Sequence, residues 1–290
     1  MIIKRLFPWW LKIFAKILLS RLPIKHSTWR SFSLFAHSAK NADEFGSAVK
    51  TFGRYLFIAQ QYITIKKDFN CLELGPGDSI ITSLAAKKQG AGKYYLVDTH
   101  DYANVNLKHL IDVSLDIGLS IKDYSQFQSA NDFLSYNGIK YKTNGMQSYN
   151  EIPDSTIDFA WSKSVLEHIC ISKFERTFKE LHRILKHNAI AIHSVDFRDH
   201  LSGGINNLRF NKTIWESYLF KNSGFYTNRL RPSQMKDLFI KNGFKVTIFR
   251  QDFLDELPLS RNRLSREFRN LSDDDLRTTG MIFVIRAIKK

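Results

Sequence analysis

Residues 71–79 read CLELGPGDS, an apolar run that meets an acid, Glu73, and then Gly75 and Gly77. A nucleotide-like cofactor can approach a backbone only where no Cβ stands in its way, and glycine also tolerates the turn out of a buried strand. Asp98 closes the next apolar run, YYLVD, where a carboxylate can accept hydrogen bonds from two vicinal ribose hydroxyls. A second polar cluster, HSVDFRDH at 193–200, runs off the end of a later apolar run. Asp196, Asp199 and His200 are its candidates for the group that takes a proton from an acceptor, since an imidazole partnered by a carboxylate titrates near neutral pH. Asp199 and His200 read equally well as a helix cap or a brace for the segment that follows. Downstream, Asn206, Asn207, Arg209, Tyr226, Asn228 and Arg229 offer donors and an aromatic face to a polar, anionic or carbohydrate acceptor, although loop solvation and internal hydrogen bonding are the commoner fate of such residues.

These groups need a sheet to hold them. Apolar runs at 70–74, 93–97, 139–143, 156–161, 189–195, 244–250 and 281–288 predict seven strands. Helical spacing lies between the earlier ones, and Phe45, Val49, Phe52, Leu56 and Ala59 predict an amphipathic helix over 41–65 before the first strand. Such alternation implies an α/β fold, a mainly parallel sheet covered by helices on both faces. In open sheets of this kind ligands sit at the carboxyl ends of the strands, which makes Ser162 and Lys163 site candidates, with Glu167 and His168 on the helix after them. His168 reads as a structural residue of that helix. Thr99 and Asp101 mark a helix start after Asp98, Ser233 an N-cap and Gly243 a stop. Residues 199–232 have too little strand periodicity for the sheet and read as an insertion covering the substrate side.

Together these pieces resemble the class I, Rossmann-like, S-adenosylmethionine-dependent methyltransferases. That family carries an acid and glycines after the first strand, an acid ending the second, a fourth strand of the type DFAWS followed by a VLEH helix, and a helix ending in RILK before the fifth strand. Here these are Glu73 with Gly75 and Gly77, Asp98, Asp158 through Ser162, Val165 through His168, and Arg183 through Lys186, within a similarity over roughly residues 68–200. The loop E-L-G-P-G-D-S lacks the G-x-G-x-x-G of a dinucleotide fold. The resemblance implies a doubly wound, seven-stranded, mostly parallel sheet with an antiparallel last strand, and S-adenosylmethionine as cofactor. It places Glu73 near the cofactor's amino group, Gly75 and Gly77 beneath its methionine and ribose portions, Asp98 on the ribose, and Met146 and Gln147 where the family often has an acid for the adenine.

Segments like VDFRDHLSGG are similar to those of bacterial methyltransferases of surface polysaccharide and lipid-linked sugar assembly. This implies O-methylation of a glycan, a lipid-linked sugar or another small polar acceptor at the cytoplasmic face of a membrane. An RNA or DNA base methyltransferase is the rival enzyme. Against it, AWSKS lacks the N/D-P-P-Y/F motif of exocyclic amino methylation, and neither cysteine stands where a pyrimidine-C5 nucleophile would. An inactive methyltransferase-like scaffold is the non-enzymatic alternative, opposed by the intact Glu73, Gly75, Gly77 and Asp98 set.

The chain has 290 residues, 43% of them hydrophobic, enough for a substantial core. Cys71 and Cys170 lie in apolar runs and read as reduced, buried thiols of a cytoplasmic protein, neither a disulfide frame nor a metal site. The net charge of +15 favours anionic partners, yet no nucleic-acid-binding motif accompanies it. Residues 1–40 form a basic N-terminal segment ahead of a methyltransferase domain over 41–290. In residues 1–24, Lys4, Arg5, Lys12, Lys16 and Arg21 interrupt the apolar run too often for a spanning helix or a secretory signal. Trp10, Ile13, Phe14 and Ile17 instead form one stripe opposite Lys12 and Lys16, as in a helix lying on an anionic membrane surface through residues 1–22. Packing of that stripe on the catalytic domain is the alternative.

Overall fold

The computed structural model describes residues 8–19, 21, 44–103, 105–121 and 123–289. Most of the expected N-terminal segment, residues 1–7, 20 and 22–40, lies outside these, as do the first three positions of the helix expected from 41. Helix α1 (Trp9–Leu19) is followed by α2 (Glu44–Gln60), and the alternation then begins with β1 (Phe69–Leu74), α3 (Ile81–Lys88) and β2 (Ala91–Val97). After β2 come α4 (Leu107–Asp116), α5 (Ala130–Tyr136), β3 (Ile139–Lys142), β4 (Ile157–Lys163), α6 (Ile171–Ile184) and β5 (Leu185–Asp196). Two single-turn helices, α7 (Lys212–Trp215) and α8 (Tyr218–Lys221), precede α9 (Pro232–Lys241), β6 (Phe244–Phe253), α10 (Asp273–Arg277) and β7 (Thr278–Ala287).

The seven strands form one sheet in the order β3-β2-β1-β4-β5-β7-β6. Strands β1 to β5 pair in parallel, and β7 runs antiparallel between β5 and β6. This is the mostly parallel, doubly wound α/β sheet with an antiparallel last strand that the alternation and the resemblance imply. Strand side chains divide by twos between its faces. On β4, Phe159 and Trp161 join Phe52, Tyr55, Leu84 and Tyr94 beneath α2 and α3. Ala160 joins the other face, where Phe174 and Phe178 of α6 and Phe239 of α9 pack against Phe283 of β7.

Several local expectations are corrected. The VLEH segment makes only a 3-10 turn over Leu166–His168, and α6 begins at Ile171. RILK straddles the end of α6 and the start of β5. Its Arg183 donates to the carbonyls of Ile152 and Tyr149 at 3.0 and 2.8 Å, and its Lys186 donates to Asp158 Oδ1 at 2.6 Å, tying the helix and the fifth strand to the fourth. No helix starts at Thr99. The next one waits for Asn106, whose side chain accepts the His109 N–H at 3.1 Å and caps α4. Pro232 takes the first position of α9, which suits its fixed φ, so Arg231 is the cap residue and Ser233 donates to Asp275 from its N–H at 2.9 Å and its Oγ at 2.6 Å. Gly243, at φ +87°, follows the end of α9 as expected. Both cysteines are free, Cys71 buried and Cys170 only partly so.

The insertion has its own apolar underside. Ile205 and Leu208 pack on Leu259, Leu264, Phe268 and Leu276 from the stretch before β7. Leu201, Trp215, Phe225 and Tyr226 close over Ile13 of α1, with Trp9 and Ile17 packed alongside. The expected single stripe on α1 is therefore split. Trp9, Ile13 and Ile17 face the insertion, because one helical turn separates each from the next, while Trp10, Phe14 and Leu18 make a second row on the outer side. Lys16 Nζ donates to the His200 carbonyl at 3.0 Å and fixes the helix over the insertion. Among the described residues no helix is long and apolar enough to cross a membrane.

Candidate active site

Register sets the carboxyl ends of the central strands level: Leu74 pairs with Val97 on one side and Ser162 on the other, and Ser162 with His193. Between β1 and β4 the connections leave in opposite directions, which opens the crevice where sheets of this type bind ligands. The chain leaves β1 through Gly75 and Gly77, at φ +64° and +67°. The two glycines do different work. A Cβ on Gly75 would stand 2.5 Å from Val165 Cγ2, so this glycine lets the β1 loop rest on the turn after β4. A Cβ on Gly77 would meet no atom within 4 Å, so its bare side faces open space that a ligand can approach.

Asp98 is held beside that space. Its Oδ2 accepts the Gly77 N–H at 3.0 Å and its Oδ1 the Thr99 N–H at 2.7 Å, fixing the carboxylate with further lone pairs to offer. The Gly145 N–H donates to the Asp98 carbonyl at 2.8 Å and draws in the 3-10 turn Gly145–Glu151, which carries Met146 and Gln147. Gln147 is exposed, whereas Met146 leans toward α6, its Sδ accepting from Thr177 Oγ1 at 3.1 Å.

Glu73 is buried at the end of β1. Its Oε2 accepts from Thr82 Oγ1 at 2.5 Å and from Tyr94 OH at 2.8 Å, and that phenol in turn accepts from Trp161 Nε1 at 2.9 Å. Burial pushes its carboxyl up to about 7 against these two hydrogen bonds. Ser162 turns away from the crevice into the core under α6, where its Oγ lies 2.8 Å from His193 Nδ1 and is fully buried. Burial among Phe178 and Phe239 drives His193 down to about 3, so the ring is neutral. The structure thus makes Ser162 a core residue, because β4 sends alternate side chains to opposite faces and this one falls on the α6 side.

The acceptor-side candidates separate as well. Asp199 is a brace: Oδ1 accepts the N–H groups of Leu201, Ser202 and Gly203, and Oδ2 accepts the N–H and Nδ2 of Asn206, all between 2.6 and 3.1 Å. A carboxylate so engaged shapes the 199–206 loop and has no room to act as a base. Asp196 is engaged by Arg198, whose Nε and terminal nitrogen donate at 2.9 and 2.8 Å. Burial opposes its charge, but these bonds hold it below the usual carboxylate range. His200 packs its ring edge-on against His168 at 4.8 Å, and His168 Nδ1 lies 3.2 Å from the Tyr226 carbonyl. Asn206 donates to Asp199, and Arg209 Nε donates to Asn206 Oδ1.

The sequence sets Glu167 after the fourth strand, within the VLEH motif, but gives it no chemical role. It sits in the turn between β4 and α6, almost wholly buried, with Oε1 accepting the Asp196 N–H at 3.2 Å. The insertion grips this turn: the Asn228 N–H donates to the Glu167 carbonyl at 2.7 Å, and Asn228 Nδ2 donates to the carbonyls of Leu166 and Ile169. The one sequence signal was an acid inside the apolar run VLEHICI.

Residues 40–247 match the family model described as a methyltransferase domain. The chain belongs to that family. No curated protein matches it. Among solved structures, a SAM-dependent methyltransferase of Methanosarcina mazei is 16% identical, with 80% of this chain and 98% of that chain covered and a TM-score of 0.45. The YcgJ protein of Bacillus subtilis is 13% identical over 83% of this chain and 99% of that one, with a TM-score of 0.47. A phosphoethanolamine N-methyltransferase of Haemonchus contortus, in complex with phosphomonomethylethanolamine and S-adenosylhomocysteine, is 14% identical over 82% and 53%, with a TM-score of 0.43.

This methyltransferase domain takes S-adenosylmethionine, which supplies an electrophilic methyl on a sulfonium. The residues present fit it. Gly77 leaves room for close approach, and Asp98, fixed by two N–H groups, would accept hydrogen bonds from a diol. Methyl transfer runs in line, so the protein's main task is alignment, with a proton acceptor added for a hydroxyl substrate.

Proposed function

We propose that this methyltransferase methylates an oxygen of a glycan, a lipid-linked sugar or another small polar acceptor, working at the cytoplasmic face of a membrane. The observation that carries the acceptor class is the wall beside the β4 and β5 ends. Glu167, Asp196, Asn207, Thr227, Asn228 and Arg229 line one small cavity there, a set of donors and acceptors that suits a single hydroxyl of a polar acceptor. The membrane part is supported by the outer row of α1, where Trp10, Phe14 and Leu18 are 58%, 71% and 61% exposed on a chain of net charge +15. The deciding experiment supplies methyl-labelled S-adenosylmethionine with lipid-linked sugars, free sugars and RNA. Label is expected in a sugar oxygen, and label in RNA alone would overturn the reading.

A further inference from the structure

Three buried polar atoms without a hydrogen-bond partner among the described residues belong to side chains that line this one cavity: Glu167 Oε2, Asn207 Oδ1 and Arg229 Nε. Their residues are 3%, 3% and 7% exposed, so solvent does not satisfy them from outside. Each such atom has given up its hydrogen bonds to water without replacement, and folded proteins carry few of them. Their gathering here is not a by-product of loose packing. Arg229 is otherwise tightly held, with its guanidinium between Trp215 and Phe268, one terminal nitrogen on the Phe210 carbonyl and the other on Glu267 at 3.2 Å. Its backbone sits at φ +61°, a left-handed conformation that strains a non-glycine residue and recurs at functional sites.

The open room is about 10 Å³, the size of a single oxygen with its proton. A hydroxyl gives one hydrogen bond and accepts others, so it answers the Arg229 donor and the Glu167 acceptor together and leaves Asn207 Oδ1 to a second donor. The place is also right for chemistry. Glu167 follows Val165 in the turn that touches Gly75, and Asp196, Phe197 and Arg198 close the cavity from the end of β5. We propose that this cavity receives a hydroxyl of the methyl acceptor and that Glu167 is the base that takes its proton. The Arg229 Nε–H donates to the hydroxyl oxygen and its proton points to the Glu167 carboxylate. As that oxygen bonds to the methyl carbon, the carbon–sulfur bond breaks with its electron pair left on sulfur. The proton passes to Glu167, giving a methyl ether and S-adenosylhomocysteine.

The inference rests on the O-methylation reading, and pH separates the two. Burial raises the Glu167 carboxyl to about 8, with Asp196 adding to it against the Asp196 N–H bond. Tyr55 of α2, Asp196 and Arg198 at the end of β5, His168 beside it, and Arg229 and Arg231 of the insertion are the other titratable or charged groups facing this site. Turnover should therefore climb as pH passes about 8 and level off above it. In the full-length protein, Glu167→Gln should keep its melting temperature and its affinity for S-adenosylmethionine within about twofold. Its turnover should drop at least a hundredfold with the alkaline rise gone, since a positioned base contributes about 10²–10⁴. Asn207→Ala and Arg229→Lys should mainly raise the KM for the acceptor.

A second readout needs no acceptor. The infrared carboxylic-acid band that vanishes in Glu167→Gln should shift when the wild-type protein is given molar glycerol as a hydroxyl probe. Wild-type pH dependence and rate in Glu167→Gln would overturn the proposal and leave the cavity to a structural water. So would an infrared band indifferent to glycerol. Wild-type label found only on nitrogen or carbon would instead overturn the O-methylation reading beneath it.

Discussion

Gly77 gives its backbone N–H to Asp98 Oδ2 at 3.0 Å, so the open edge of the glycine loop and the Asp98 carboxylate are one bonded unit. Asp98→Ala removes both the acceptor for the diol and the anchor of the loop. Hydrogen bonds to a charged group are worth about 1.5–3 kcal/mol each, so S-adenosylmethionine affinity should fall at least a hundredfold by calorimetry. Gly77→Ala tests the edge itself. No neighbour lies within 4 Å of the added methyl, so its penalty in the free protein is the positive φ alone, about 1 kcal/mol, and any larger loss should appear only in cofactor binding. Cofactor affinity untouched by either change would remove both residues from the site.

Legibility in the sequence follows how local the cause is. The strands could be read because central parallel strands are buried on both sides and show as apolar runs such as YYLV and IAIHSV. The glycines could be read because a turn out of a buried strand with positive φ favours residues without a Cβ. Ser162 could not, since the strand end names the level in the sheet but not the face, and the neighbour that claims its hydroxyl, His193, comes from another strand. Glu167 was hidden for the same reason: an acid after a strand reads as exposed until the distant segment holding Asn228 and Arg229 covers it. Asp199 was ambiguous because a brace and a base use the same residue type, and only the five N–H bonds converging on it decide.

Asp199→Asn should therefore act on stability. The amide keeps one oxygen but turns an NH₂ toward either three backbone N–H groups or the two donors of Asn206. The result is donor against donor in a buried loop, which costs about 1–3 kcal/mol. Urea unfolding should record that loss, while the turnover that remains should keep the wild-type pH profile. A displaced pH profile would restore Asp199 as a proton carrier.

Glu73 gives the fold a pH dependence of definite sign. Its carboxyl lies at about 7 in the folded protein and near 4.5 when unfolded, so the folded state holds the proton more tightly. The stabilisation is full below about pH 4.5 and is lost as pH rises to 7. Glu73→Gln stays neutral and keeps an acceptor for Thr82 and Tyr94. Without cofactor it should match wild type near pH 5 and be more stable by a few kcal/mol at pH 8. Equal stability of the two at pH 8 would show that the carboxylate is solvated or paired when ionised.

On α1 the two rows make opposite predictions. Ile13 and Trp9 are held by Leu201, Phe210, Trp215 and Tyr226, so Ile13→Ser should lower the melting temperature through a cavity under the insertion. Trp10, Phe14 and Leu18 lie on the exposed side, so replacing all three with Ser should leave the melting temperature nearly unchanged. If the outer row enters the interface of a bilayer, each side chain contributes about 1 kcal/mol or more. The triple variant should then bind anionic liposomes on the order of a hundredfold more weakly in sedimentation. Salt should weaken wild-type binding further, because Lys12 and the remaining basic surface act through a screened field. Liposome binding equal in the wild type and the triple Ser variant would sink the membrane reading and leave α1 as a lid packed on the insertion.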